Sequence, residues 1–124
     1  MKVLLIVSHG SRRKDSNDEV RLLAEHVAQN TGPAFEKVCC AFLELTSPMI
    51  DTAIVQLADE GATEIVVFPY FLAAGTHVVN DIPRIIEEGR NKFPNISMTV
   101  IPHLGAIPGI SNLIVSHSER STSE

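Results

Sequence analysis

Four short apolar runs alternate along the chain with segments of helical periodicity. The first run, residues 2–7, is almost wholly apolar, which is typical of a strand buried on both faces of a parallel sheet. Residues 38–43 and 64–68 repeat this pattern, and residues 97–101 supply a weaker fourth run. Strand followed by helix, repeated along the chain, predicts an α/β fold: a three-layer sandwich with a four-stranded parallel sheet.

The first two intervening segments carry signals for the start of a helix. Ser16-Asn17-Asp18-Glu19 has the Ser-x-x-Glu form of a capping box, so a helix is predicted from Ser16 until Gly32-Pro33 stops it. A second helix is predicted to begin with Thr46 or Ser47 as its cap and Pro48 in its first turn.

Two further helices are predicted in the second half of the chain. One covers about residues 77–92, and Pro83 must lie in its first turn or bend it. The last is opened by Pro108 and is expected to give way to a polar tail. The predicted organisation is therefore one α/β domain over residues 1–115, followed by a tail over residues 116–124.

Groups that can bind a metal follow all four predicted strands. His9 follows the first strand, Glu44 the second, a loop leading to His77 the third, and His103 the fourth. In open parallel sheets ligands bind beyond the carboxyl ends of the strands, so these groups are expected at one edge. Imidazole nitrogens favour iron, cobalt, nickel, copper or zinc. A site for a transition metal or for proton transfer is predicted, with His103 as a residue of its rim.

Size and composition indicate an ordinary globular domain. The chain has 124 residues, of which 44% are hydrophobic and 20% charged. No apolar run approaches the ~18 residues that span a bilayer, so no membrane partner is expected. The start of the chain lacks the features of a signal peptide, and Cys39 and Cys40 point to opposite faces of a strand and cannot readily bridge each other. A cytoplasmic protein with reduced thiols is expected.

The charge distribution limits the classes of partner. A net charge of −5 argues against a nucleic-acid surface. Arg12-Arg13-Lys14 and Arg84 nevertheless offer a local cationic rim, unless the first of these groups is only a solvated loop. Gly10 and Gly75 permit the close approach of a flat ligand, or only a turn. Motifs for ATP, dinucleotides and esterase chemistry are absent from the sequence.

Three motifs together resemble the short-form sirohydrochlorin chelatases of the CbiX family. They are His9-Gly10-Ser11-Arg12 followed by Asn17, Phe42-Leu43-Glu44 followed by Pro48, and Pro69-x-Phe71-Leu72-x-x-Gly75-x-His77-x-x-x-Asp81-Ile82-Pro83. The resemblance covers about residues 2–113. It implies a chelatase-like fold, homodimers, and insertion of a divalent metal into sirohydrochlorin without ATP. The metal would be a substrate, with no tightly bound cofactor.

The resemblance also implies roles for individual residues. His9 and His77 become the metal-binding and proton-accepting pair, and Glu44 becomes the accessory carboxylate. The remaining implied contacts are with the tetrapyrrole substrate: Ser11, Arg12, Gly75, Thr76 and Arg84. These residue types suit the chemistry, because insertion needs exchangeable metal ligands and bases for two pyrrole protons.

Several functions stay open from the sequence. The preferred interpretation is a lyase, a cobaltochelatase of cobalamin or siroheme biosynthesis, with iron as the second choice of metal. A nickel chelatase and a non-catalytic carrier of tetrapyrrole or metal are the alternatives, and a phosphatase using His9 as its nucleophile has weak support. Ile82, Ile86 and Ile110 are candidates for a dimer contact, or ordinary core residues.

Overall fold

The computed structural model describes residues 1–73 and 75–122, with the backbone alone at residues 76–79 and 121–122. The strands are β1 (Lys2–Ser8), β2 (Lys37–Phe42), β3 (Glu64–Pro69) and β4 (Ser97–Val100). The α-helices are α1 (Lys14–Asn30), α2 (Ile50–Asp59), α3 (Thr76–Lys92) and α4 (Gly109–Thr122), with short 3-10 turns at Gly32–Ala34 and Leu104–Ala106. The strands form one parallel sheet in the order β2-β1-β3-β4, which confirms the predicted fold class.

The main core lies on one face of the sheet, beneath α2 and α3. Alternate residues of β1, such as Val3 and Leu5, are fully buried there and belong to one apolar cluster with Ile54 of α2. Ile82 and Ile86 of α3 belong to the same cluster and are 1% and 0% exposed. Their candidacy for a dimer contact is therefore wrong, because the core already buries both side chains.

Helix α1 packs on the other face of the sheet, against β2. Leu4 and Ile6 of β1 turn to this side, where they line one apolar groove with Leu23 and Val27 of α1. Because helices pack against both faces, the molecule has the three predicted layers. Along the sheet, the connection from β1 through α1 to β2 runs in one direction, and the connections through α2 and α3 run in the other. Because such crossovers are right-handed, this change of direction places α1 on one face of the sheet and α2 and α3 on the other.

The first two helices begin at other residues than predicted. α1 begins at Lys14, two residues before Ser16, and its N-cap residue Arg13 makes no capping hydrogen bond with its side chain. α2 begins at Ile50 after Met49, so the predicted caps Thr46 and Ser47 belong to a loop. The physical reason is that Met49 forms a bridge with Phe42, whose N–H donates to the carbonyl of Pro48 at 2.9 Å. The chain returns to the end of β2 before α2 can start.

The last two helices also differ from the prediction. Pro83 lies inside α3, so of the two predicted alternatives the place in the first turn is wrong, and a bend in the helix stays a prediction. α4 continues to Thr122, so residues 116–122 are helical rather than an irregular tail. Within the described residues, no helix is long and apolar enough to cross a membrane.

Candidate active site

His9 and Glu44 meet at the carboxyl edge of the sheet. They follow the neighbouring strands β1 and β2, and His9 Nε2 lies 2.9 Å from Glu44 Oε1. The side chains are 52% and 57% exposed, so solvent and a ligand can reach both. The structure thus brings together two of the residues that the sequence predicts to share one rim.

Backbone pairing beyond the strands holds these two residues side by side. Leu43 N–H donates to the carbonyl of Ser8 at 2.9 Å, and Glu44 N–H donates to that of His9 at 3.1 Å. Gly10 follows with φ at 93°. A Cβ at this position would stand 1.9 Å from the Glu44 carbonyl oxygen, so only glycine lets the two loops approach this closely.

Asn17 fixes the loop that follows His9. Its Oδ1 accepts from Ser11 N–H at 3.0 Å, and its Nδ2 donates to the Ser11 carbonyl at 2.8 Å. Asn17 is only 6% exposed, and both hydrogen bonds satisfy an amide that would be costly to bury alone. The adjacent Arg12 is exposed.

Arg21 of α1 fixes the loop that carries Glu44. Its guanidinium donates to Thr46 Oγ1 at 3.1 Å and to the Ser47 carbonyl at 2.9 Å, and it stacks 5.1 Å from the centre of the Phe42 ring. This role of Arg21 was not predicted from the sequence. The sequence feature that could have predicted this role is helical spacing. Arg21 stands four residues after the buried Asn17 and therefore lies on the inner side of α1.

The His9–Glu44 pair opens into a cleft of about 310 Å³ between the two loops and α3. Its lining residues are His9, Leu43, Glu44, Asp81, Arg84 and Ile85. Arg84, a predicted contact, lies 3.6 Å from Asp81 and 3.5 Å from Glu88 in ion pairs. Asp81 is part of the third motif, but no role at the site was predicted for it from the sequence.

Among the described residues, no other predicted site residue lines this cleft. The side chains of Thr76 and His77 lie outside the described residues, and Gly75 is exposed just before α3. His103 is half-buried before the turn Leu104–Ala106 and does not line the cleft. Among the described side chains there is no group of three or more His, Cys, Asp or Glu residues that could hold a metal ion. The described pair therefore offers two ligands.

Comparison with known proteins identifies the family. The family model of CbiX matches residues 3–121. The chain belongs to the CbiX family. A sirohydrochlorin cobaltochelatase of Sulfolobus acidocaldarius is 39% identical over 72% of this chain and 69% of its own. A sirohydrochlorin ferrochelatase of Priestia megaterium is 30% identical over 93% of this chain and 42% of its own. The chain spans about half the length of several curated relatives that it matches.

Solved chelatase and CbiX structures share the fold. The sirohydrochlorin chelatase SirB from Bacillus subtilis, in complex with cobalt, has a TM-score of 0.80 at 26% identity, covering 96% of this chain and 50% of that one. A CbiX protein from Marinobacter aquaeolei has the same TM-score at 24% identity and is covered over 98% of its own length, so its likeness extends to the fold alone.

Proposed function

We propose that this chain inserts a divalent metal ion into sirohydrochlorin without ATP, with Co²⁺ as the preferred substrate and Fe²⁺ as the second. The observation that carries the proposal is the exposed His9–Glu44 pair, with Nε2 and Oε1 2.9 Å apart at the mouth of a cleft. Relatives named as cobaltochelatases and ferrochelatases support the reaction type. The metal is a substrate, and no resident cofactor is part of the proposal.

The hydrogen bond defines what His9 can do. A carboxylate only accepts, so in the neutral imidazole the single ring proton lies on Nε2 and Nδ1 keeps its lone pair. That lone pair can bind the entering metal or take a proton from a pyrrole nitrogen, two tasks that insertion requires. Glu44 orients the ring and offers an oxygen ligand of its own. His77 is proposed as the second ligand and base.

Cationic side chains are proposed to hold the substrate. Arg84 lines the cleft, and Arg12 is an exposed residue of the loop after β1. Guanidinium groups bind carboxylates through paired hydrogen bonds, so both arginines suit the carboxylate arms of the tetrapyrrole. Ser11, Gly75 and Thr76 complete the proposed contacts. The two arginines supply positive charge on a chain whose net charge is −5.

A homodimer is proposed to complete the binding site. A cleft of about 310 Å³ is at the lower end of the range for small-ligand sites. One such wall cannot cover both faces of a macrocycle, so a second copy is needed to bury it. The free cysteines Cys39 and Cys40 support a reducing compartment, which we propose is the cytoplasm.

Anaerobic assays with sirohydrochlorin test the proposal. The purified protein is mixed with the tetrapyrrole and with Co²⁺, Fe²⁺ or Ni²⁺ in separate reactions, and the absorbance change on insertion is followed. We expect many turnovers per chain, fastest with Co²⁺. Fastest insertion with Ni²⁺ would identify the nickel chelatase, and stoichiometric binding without turnover would identify the carrier.

A further inference from the structure

Leu45, which directly follows Glu44, has an unusual backbone conformation for a leucine. Its φ is 69°, in the left-handed region, where the Cβ of an L-residue comes close to the following carbonyl oxygen. Elsewhere in the part of the chain that the structure describes, the residues with a positive φ are glycines, at positions 10, 32 and 61. Glycine adopts this conformation at no steric cost, and asparagine adopts it more readily than leucine does. The shape of the loop alone therefore does not favour leucine at position 45.

Packing within the chain does not explain the leucine either. Leu45 is 52% exposed, whereas Leu43 on the same loop is half-buried and packs against the main core. Leaving a large apolar side chain in water is unfavourable. Leu45 is thus unfavourable in its backbone and in its side chain, and such a residue beside a candidate site indicates a role in binding rather than in folding.

Hydrogen bonds on both sides fix Leu45 beside the His9–Glu44 pair. Glu44 N–H donates to the carbonyl of His9 at 3.1 Å, and the guanidinium of Arg21 donates to Thr46 Oγ1 at 3.1 Å. The Cα atoms of Glu44 and Leu45 are ~3.8 Å apart, because the two residues are consecutive. Leu45 therefore stands on an anchored backbone next to the carboxylate of the site.

The shape of the proposed substrate brings an apolar surface to this place. Insertion needs the pyrrole nitrogens within hydrogen-bond reach of His9, at ~3 Å. These nitrogens lie at the centre of a flat macrocycle, so its rings must extend outward from His9 over the neighbouring residues. Glu44 Oε1 is only 2.9 Å from His9 Nε2, so the loop that carries Glu44 and Leu45 falls within reach of the ring system. The faces of that ring system are apolar, and its carboxylate arms lie at the periphery.

We propose that the side chain of Leu45 contacts the face of the tetrapyrrole and holds the macrocycle against the His9–Glu44 pair. The inference rests on the proposed function and adds a substrate-binding residue to it. Burial of the exposed apolar surface of Leu45 against the macrocycle offsets its unfavourable conformation. Because the contact is the same in the bound substrate and in the transition state, it contributes to binding rather than to the chemical step.

Substitutions at position 45 separate the side chain from the backbone. Leu45→Asn provides a residue that tolerates the left-handed conformation but removes the apolar surface, whereas Leu45→Met keeps an apolar side chain. Anaerobic titration with metal-free sirohydrochlorin, followed by absorbance, measures the affinity. We expect Kd to rise roughly tenfold in Leu45→Asn and to stay within about twofold in Leu45→Met. In insertion assays KM for sirohydrochlorin should rise in Leu45→Asn while kcat changes little.

Leu22→Asn is the matched control for Leu45→Asn. Leu22 lies on α1, is 51% exposed and does not line the cleft, so its replacement should leave Kd at the value of the natural chain. Circular dichroism checks that all three variants are folded. Normal affinity in Leu45→Asn, or equal losses of affinity in Leu45→Asn and Leu45→Met, would overturn the proposed contact.

Nuclear magnetic resonance observes the contact without turnover. Protons above the face of a conjugated macrocycle are shielded by its ring current, so the methyl resonances of Leu45 should move upfield when metal-free sirohydrochlorin is added. Those of Leu22 should not move, and the Leu45 signals are assigned by their loss in Leu45→Met. Unshifted Leu45 resonances at saturating sirohydrochlorin would overturn the inference. A shift in a chain that does not turn over metal would support the contact and overturn only the proposed catalysis.

Discussion

At the scale of single residues, His9 and Glu44 are exposed, so their part in the chemistry can be tested with little change in the stability of the fold. Even a charged pair at such an exposed position contributes only about 0.2–1 kcal/mol to folding, so losing either partner of the hydrogen bond should leave the fold intact. We expect His9→Ala to slow insertion by roughly a hundredfold or more, as the loss of a base or ligand does. His77→Ala should act similarly. Initial rates with sirohydrochlorin and Co²⁺ measure the effect.

Glu44→Gln provides a graded comparison with His9→Ala. The glutamine oxygen can still accept the hydrogen bond from Nε2, but the negative charge is lost, so we expect a smaller decrease in rate. His26→Ala, an exposed histidine on α1, is the matched control and should keep the normal rate. Near-normal turnover in both His9→Ala and His77→Ala would show that the chemistry lies elsewhere.

Gly10 is the residue on which the close approach of the two loops depends. In Gly10→Ala the new methyl group would meet the Glu44 carbonyl oxygen, and the loop must move. Gly61 is a matched control because its φ is 94°, close to the 93° of Gly10, and a methyl group there would meet no described atom within 4 Å beyond its chain neighbours. Both substitutions add backbone strain, but only Gly10→Ala adds overpacking, which costs a further ~1–3 kcal/mol.

Chemical denaturation and the insertion assay check the Gly10 prediction together. We expect Gly10→Ala to lower the unfolding midpoint more than Gly61→Ala does, and to be the only one of the two that reduces the insertion rate. Equal effects of the two variants on both measurements would mean that the close contact at Gly10 has no part in the site.

At the scale of elements, α1 positions the loop that carries Glu44. Arg21 links α1 to Thr46 and Ser47 and stacks on Phe42, so Arg21→Gln should loosen Glu44 without touching the substrate. We expect weaker activation by Co²⁺, seen as a several-fold higher metal concentration at half-maximal rate. Glutamine keeps a donor but neither the charge nor the paired geometry of the guanidinium.

Arg90→Gln is the matched control for Arg21→Gln. Arg90 also donates to a backbone carbonyl, that of Met98, but on β4 and away from the cleft. Arg90→Gln should lower thermal stability to a similar extent and leave the response to Co²⁺ unchanged. If both variants shift the metal response equally, Arg21 acts only through general stability.

The elements also show what the sequence could and could not predict. Periodicity located all four strands because their residues are buried on one or both faces. It placed the starts of α1 and α2 wrongly because tertiary contacts of Asn17, Met49 and Arg21 decide where those loops end. Strand ends predicted that His9 and Glu44 meet, whereas Asp81 reaches the cleft only through the packing of α3.

At the scale of the whole molecule, the site depends on β2, which is an edge strand of the sheet. Two of its side chains, those of Lys37 and Cys39, lose a proton in alkali. Burial raises the pKa of Cys39 to about 11, against a weaker opposing effect of Lys37. A hydrogen bond with Glu60 raises the pKa of Lys37, opposed in part by burial. In both cases the folded chain holds its proton more tightly than the unfolded chain.

We therefore expect the free energy of unfolding to fall in alkali. The contribution of Cys39 is complete below the unfolded thiol pKa of ~8.5 and is lost as the pH rises through the folded value of about 11, and that of Lys37 is lost above ~10.4. Urea midpoints measured from about pH 8 to pH 10.5 should decrease, and Cys39→Ser should remove part of that decrease. An unchanged slope in Cys39→Ser would contradict the role of the thiol. Because β2 leads directly into Glu44, the same rise in pH should disorder the site before the central strands β1 and β3 separate.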